Sequence, residues 1–301
     1  MMVVYFDWNI FAHFRDWRFK RKKAFSNYKI LEELKNSGRI ETYYSDAHII
    51  DLMPAHELPN FMSQDMNAIT QLTDNTYIEY DAIEHSELKE IVDPRVIFHN
   101  VKNTFSLNQS MDTIEQTCGP YWPMLEEKLM NMELSIEDNG DMSASGTDLK
   151  SYMDKLFTEH NNALNDTGYF KLRREQNLKN LQKIPEYRPH LSGTEEQKIS
   201  VFVQLFPILI SCLPASMKNR SDLLLAMFML LDQLHLWADS NYKNMMIDAL
   251  HAFYASHIDT DVLITNDNNF RNKATVAYQV LGIMLPILSF DEFLEIIKRT
   301  T

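Results

Sequence analysis

Four aspartates occupy positions where a carboxylate can do chemistry. Asp7 closes the apolar run Val3 to Phe6 in "VVYFDWN". Asp51 follows Ser45 by six residues in "YSDAHIIDL". Asp248 sits in "IDALHAFYA", among Met246, Ile247, Ala249 and Leu250. Asp267 follows the β-branched run Val262 to Thr265 in "VLITNDNNF". A carboxylate inside an apolar stretch costs free energy unless it is paired or bound to a cation. The sequence sets few basic residues beside these four. Brought together, they would suit a hard divalent ion, Mg2+ or Mn2+. An ion held that way can activate water for phosphodiester hydrolysis. Asp267 has a plainer reading as well, because an Asn/Asp cluster after a strand is also a turn or a helix cap.

Polar residues close to these acids extend the set. Asn9, Ser45 and Thr265 can orient carboxylates. His48 precedes Asp51 by three residues and His251 follows Asp248 by three, so each shares a helix face with its acid. Each imidazole then either hydrogen-bonds locally at the rim or serves as an acid or substrate contact. The spacing also matches the carboxylate-and-His helices of di-iron bundles, but that reading leaves Asp7 and Asp267 at strand ends unexplained. Asp259 and Asp261 read as loop acids ahead of a strand, with contact to the site the alternative for Asp261.

The chain carries 29 Lys and Arg against 42 Asp and Glu, a net charge of −13. Its cations are unevenly spread. "FRDWRFKRKKAFSNYK" holds Arg15, Arg18, Lys20, Arg21, Lys22, Lys23 and Lys29, interleaved with Phe14, Trp17, Phe19, Phe25 and Tyr28. Such a run can neutralise phosphates and stack unpaired bases. The alternative is a solvated basic loop with its aromatics turned into the core. The second basic stretch, Lys171 to Lys183, reads as a solvated helix face.

The elements that must position these residues alternate at both ends of the chain. Residues 3–6 read as a buried strand followed by a helix. Residues 39–45 read as a second strand, with Ser45 and Asp46 as cap candidates for the helix after it. Near the C-terminus come a helix carrying Asp248 and His251, the strand 262–265, a helix, a last strand in "MLPILSF" and a closing helix. Between these ends the pattern is mostly helical. "FMSQDMNAITQLTD" and "YWPMLEEKLMNMEL" look helical, "TYIEYD" could be a short strand, and "SIEDNGDMSASGTD" reads as an exposed loop. "SDLLLAMFMLLDQLHLW" is apolar nearly all round, as in a core helix. Strands alternating with helices predict an α/β fold, a parallel sheet covered on both faces. Ligands of such sheets sit beyond the carboxyl ends of the strands, where Asp7 and Asp267 fall.

Bulk features narrow the classes. With 7 Gly in 301 residues, long flexible linkers are not expected, and the 17 Met read as core filler rather than a thioether metal site. Cys118 and Cys212 cannot build a disulfide framework or a cysteine zinc site. The N-terminus does not read as a signal peptide, and the apolar region 201–237 is interrupted by Pro and charge. A cytoplasmic protein without a membrane segment is expected. The region 201–237 could supply a homo-oligomer interface, though a core helix is the simpler reading.

The four acidic motifs, in this order, resemble those of PIN-domain (PIN-like) metal-dependent ribonucleases. "VVYFDWNIF" is similar to the family's opening strand with Asp-x-Asn. "YSDAHIIDL" is similar to the second motif, a Ser or Thr with an acid six residues on. "DALHAFYAS" resembles the third and "LITNDNNF" the fourth. The resemblance covers residues 1–80 and 240–301 and implies one PIN-like three-layer domain, with 81–239 a large helical insertion or extension. It implies Asp7, Asp51, Asp248 and Asp267 as the catalytic, Mg2+- or Mn2+-binding acids, with Asn9 and Thr265 orienting them. It implies RNA as substrate ahead of DNA, although flap-type DNA nucleases share the fold, and products bearing 5′-phosphate and 3′-hydroxyl ends. The second motif usually carries Glu. Asp51 is one methylene shorter, so it ligates directly or through water. A weakly catalytic scaffold that binds RNA or a partner, and an unrelated metal-dependent hydrolase, are the competing readings. A protein inhibitor and a toxin or defence role are left open by the sequence.

Overall fold

The computed structural model describes residues 1–53, 59–81, 86–104, 167–212, 219–240, 242–257 and 259–299. The sequences "YWPMLEEKLMNMEL" and "SIEDNGDMSASGTD" lie outside them. The chain divides into two compact units, Met1–Ser106 with Ile247–Thr301, and Leu107–Met246.

The first unit is built on β1 (Met2–Phe6), whose Val4, Tyr5 and Phe6 are fully buried. It pairs in parallel with β2 (Ile40–Glu41) on one side and with β6 (Val262–Ile264) on the other. A further parallel strand, β7 (Ile287–Leu288), gives the order β2-β1-β6-β7. The stretch expected as one strand over 39–45 is two. Thr42 and Tyr43 separate β2 from β3 (Tyr44–Ser45), and β3 pairs with β4 (Thr76–Asp81) instead of β1. An antiparallel strand, β5 (Ser86–Ile91), completes this second sheet. Its sequence, "SELKEI", is mostly polar and shows little strand signal. The first unit therefore runs past residue 80, taking in β5 and α5 (Pro94–Thr104).

Alternation along β1 sends Val4 and Phe6 to one face and Tyr5 to the other. Phe6 packs with Phe11 of α1 (Trp8–Arg18) and Phe293 of the C-terminal helix Phe290–Arg299. The same core takes Leu31 and Leu34 of α2 (Lys29–Asn36), Leu52 of α3 (Asp46–Leu52) and Ile69 of α4 (Pro59–Thr73). Tyr5 instead meets His251 of the helix Tyr242–His257. On that face, Tyr278 of the helix Asn268–Leu281 donates to the Ala252 carbonyl at 2.5 Å. Helices thus cover both faces. Gly282 ends the helix 268–281 at φ 69°, a left-handed position suited to glycine.

The described part of the second unit is helical: Thr167–Leu181, Arg188–Leu191, Glu195–Cys212 and Arg220–Gln233. Asn219 caps the last of these through the Asp222 amide, and Leu224 with Ala226 to Gln233 are buried along it. Its Asp232 pairs with Arg174 at 3.1 Å, both buried. Among the described residues, no helix is long and apolar enough to cross a membrane.

Candidate metal centre

The chain leaves β1 toward β2 on one side and meets β6 on the other, so the carboxyl end of β1 lies at a switch point of the sheet. The register pairs Phe6 with Ile264, which sets Asp7 level with Thr265. Asp7 caps α1, its Oδ1 accepting the Trp8 amide at 2.6 Å. Its Oδ2 accepts the Thr265 hydroxyl at 2.7 Å and the Asn9 side-chain amide. Asn9 Oδ1 in turn accepts the Asn266 amide at 3.1 Å. These contacts fix the rotamer of a carboxylate that is only 6% exposed.

Two more elements deliver side chains to the same point. Asp51 comes from the last turn of α3, half-buried, and His251 from the middle of the helix 242–257, 1% exposed. One donor atom each of Asp7, Asp51 and His251 lies within 4.8 Å of the others, a group able to hold a metal ion. His251 Nε2 is 2.9 Å from Asp51 Oδ2 and 3.7 Å from Asp7 Oδ1. Burial raises the Asp7 carboxyl to about 6, against the lowering effects of His251, Thr265 and the Trp8 amide. Burial works against the charged form of His251 too, but the Asp51 hydrogen bond and the charges of Asp7 and Asp51 overcome it and raise the imidazole. Among the described residues, no Lys or Arg pairs with Asp7 or Asp51.

Beneath the three lies a buried polar chain. Tyr5 Oη is 2.9 Å from His251 Nδ1 and 2.9 Å from Ser45 Oγ. Ser45 Oγ is 3.1 Å from His48 Nδ1, which also accepts the Ser45 amide at 3.1 Å. His48 Nε2 lies 2.7 Å from the Phe6 carbonyl. His48 is fully buried, and burial, together with the charge of His251, holds it neutral. Sequence reasoning passed over Tyr5. The signal was there, since residues two apart on a strand share a face and Asp7 follows Tyr5 by two.

The other expected acids are placed differently. Asp248 is half-buried on the helix 242–257 and stands outside the group of three. Asp267 caps the helix 268–281, its Oδ1 accepting the amides of Asn269 at 2.8 Å and Phe270 at 3.0 Å. It is exposed, and its own amide binds the Thr265 hydroxyl at 3.0 Å. Asp261 accepts the Val3 amide at 2.7 Å, at the end of β1 away from Asp7.

The basic run is largely self-neutralised. Asp16, 6% exposed, pairs with Arg15, Lys20 and Lys22, and Arg15 also reaches the buried Asp65. Arg18 pairs with Glu32 at 3.3 Å. Arg21, at a left-handed φ of 53°, and Lys23 are exposed and form no ion pair among the described residues. The aromatics pack inward: Phe14 is buried, and Trp17, Phe19 and Phe25 lie against the core. Tyr28 stacks on Phe290 with ring centres 4.0 Å apart. Its hydroxyl binds His13 Nδ1 at 2.8 Å and the Asn266 side-chain amide at 2.7 Å.

Fold and site together define an α/β protein with a carboxylate–imidazole cluster at the carboxyl edge of a parallel sheet. Comparisons with models of known protein families, with characterised proteins and with solved structures find no match to the chain.

Proposed function

We propose that the chain is a PIN-like, metal-dependent endoribonuclease. The observation that carries this reading is the meeting of Asp7, Asp51 and His251 at the carboxyl edge of β1, with no Lys or Arg paired to either acid among the described residues. Two carboxylates and an imidazole are a donor set that divalent ions accept. The strand connections add support, since β5-β4-β3 and β2-β1-β6-β7 are joined through the single bent stretch 40–45. A bound divalent ion would supply a nucleophilic water and stabilise the leaving oxygen.

The chain's own residues do the rest. Asp7 and Asp51 hold the ion. Thr265 and Asn9 keep Asp7 in one rotamer. Asp248 and Asp267, the remaining acids of the four motifs, stand outside the group of three and would at most add negative charge around it. Arg21 and Lys23, the cations of the basic loop without carboxylate partners among the described residues, engage phosphates of RNA.

The self-neutralised loop favours a second reading, a metal-dependent hydrolase acting on a smaller phosphoester. One assay separates the two. The full chain is incubated with Mn2+ or Mg2+, or with EDTA, on an RNA panel and on a phosphomonoester. Metal-dependent RNA cleavage with 5′-phosphate ends supports the ribonuclease. Phosphomonoester turnover with intact RNA supports the second reading, and RNA cleavage undiminished by EDTA removes the metal from both.

A further inference from the structure

We propose that His251 is itself a metal ligand through Nε2, held by Tyr5, and that the site therefore selects a transition ion such as Mn2+ over Mg2+. The inference rests on the metal-site reading above and departs from an all-oxygen site. Donors that share a small divalent ion at about 2.1 Å stand roughly 3 to 3.5 Å apart when they are neighbours. His251 Nε2 lies 2.9 Å from Asp51 Oδ2 and 3.7 Å from Asp7 Oδ1, close to that spacing. An imidazole nitrogen suits Fe2+, Ni2+, Cu2+ or Zn2+ best; Mn2+, first of that series, prefers oxygen but accepts nitrogen more readily than Mg2+ does.

The buried chain shows how the nitrogen is kept in place. A ligating histidine nearly always uses its second ring nitrogen as a donor to a fixed acceptor. Here the acceptor is Tyr5 Oη, 2.9 Å from Nδ1. The far end of the chain fixes its direction. The Phe6 carbonyl can only accept, so His48 Nε2 donates to it. The Ser45 amide can only donate, so His48 Nδ1 is unprotonated and accepts. The Ser45 hydroxyl can then donate to His48 Nδ1, the Tyr5 hydroxyl to Ser45, and His251 Nδ1–H to Tyr5. Every member keeps a partner, and Nε2 is left facing the two carboxylates. On ion entry, the Nε2 proton shared with Asp51 leaves to water and the nitrogen lone pair takes the ion. No other bond of the chain breaks. Tyr5 is a positioning residue, since it reaches the ion only through His251.

The test uses the full chain and Mn2+ alone, with no nucleic acid. Electron spin-echo modulation of bound Mn2+ should show nitrogen coupling, and His251→Gln should abolish it. Tyr5→Phe should keep the coupling and weaken Mn2+ binding by about 10- to 100-fold, the usual effect of removing such a supporting partner. Calorimetric competition should show Mn2+ binding at least tenfold tighter than Mg2+, with the gap closing in His251→Asp. Mn2+ bound to the wild-type chain without nitrogen coupling, and lost in Asp7→Asn, would overturn the histidine ligand while leaving the metal site standing. No Mn2+ binding at all would overturn both. Because the coupling is read in the wild-type protein, a variant that fails to fold does not protect the proposal.

Discussion

Asp7 and Asp16 are nine residues apart and alike in exposure, each 6% exposed, but Asp7 lies deeper in the protein, and their surroundings push them in opposite directions. Burial raises both. At Asp16, Lys22, Lys20 and Arg15 reverse the effect and hold the carboxyl well below the usual carboxylate range. At Asp7 the counterweights are one imidazole, a hydroxyl and a backbone amide, and the group stays raised to about 6. The chain supplies Asp16 with more cations than it needs and leaves Asp7 short of them. A buried acid neutralised by its own sequence holds structure together. A buried acid left underneutralised is one that an external cation can complete.

The comparison breaks most sharply under exchange of each acid for its amide. Asp7→Asn should lower RNA cleavage by orders of magnitude, while metal-free stability holds or rises by about 0–2 kcal/mol because charge leaves a crowded, buried site. Asp16→Asn should do the reverse. Cleavage stays near wild type, and urea denaturation shows a loss of about 1–3 kcal/mol, discounted because Lys22 is half exposed. Equal losses of activity in the two variants would end the distinction.

Metal linkage is the next largest effect. Mn2+ at about 100 times its dissociation constant should stabilise the wild-type chain by about 2.7 kcal/mol. It should do so for Asp16→Asn and not for Asp7→Asn, in melts run with and without EDTA.

The pH dependence follows from the sign at Asp7. Its raised pKa means the folded chain holds that proton up to about pH 6, facing Asp51 and His251. Metal competes with the proton, so Mn2+ affinity should fall as pH drops through about 6. Without metal, Asp7's contribution to stability is greatest below the ordinary carboxylate pKa of about 4 and declines as pH rises toward 6. Calorimetric titrations at pH 5, 6 and 7 check the binding side; an affinity independent of pH would place the ion away from Asp7.

In the basic loop, Arg21→Ala with Lys23→Ala should reduce the salt slope of single-stranded RNA binding by about 1.4, near 0.7 for each phosphate no longer neutralised. Arg15→Ala should leave that slope alone and destabilise the fold, because it strips Asp65 of its partner. Smallest of all is Asp267→Asn, which keeps a capping side chain and should change stability by no more than about 0.5 kcal/mol. A collapse in cleavage there, without a stability change, would bring its second oxygen to the ion.

The strand ends and the helices between them were legible because apolar runs and caps are local signals. Val3 to Phe6, Val262 to Ile264 and Ser45 behave as their types suggest. The break at Thr42 and Tyr43 was not legible, since "RIETYYS" reads as one strand and only its two partners divide it. Strand β5 escaped because an edge strand with solvent on it needs no apolar alternation. In the candidate site, Asp7 and Asp51 stood out by position, and His251 was expected as a rim hydrogen-bonding group or an acid or substrate contact, not as a ligand. That it faces Asp51, 200 residues away in sequence, follows from packing that no local spacing encodes. The ion pairs of the basic loop were hidden for the same reason, because charge clustering shows where cations are and not which acids return to meet them.

Tyr28 gives the loop a different kind of significance. Stacked on Phe290 and hydrogen-bonded to His13 and Asn266, it pins the end of the stretch that carries Arg21 and Lys23. Ordering a residue on binding costs about 1–2 kcal/mol of backbone entropy. Folding has already met that cost at Tyr28. A polyanion grasped by Arg21 and Lys23 has only the few residues ahead of the pin to immobilise. Through Asn266 and Asn9, those residues are immobilised against the same turn that holds Asp7.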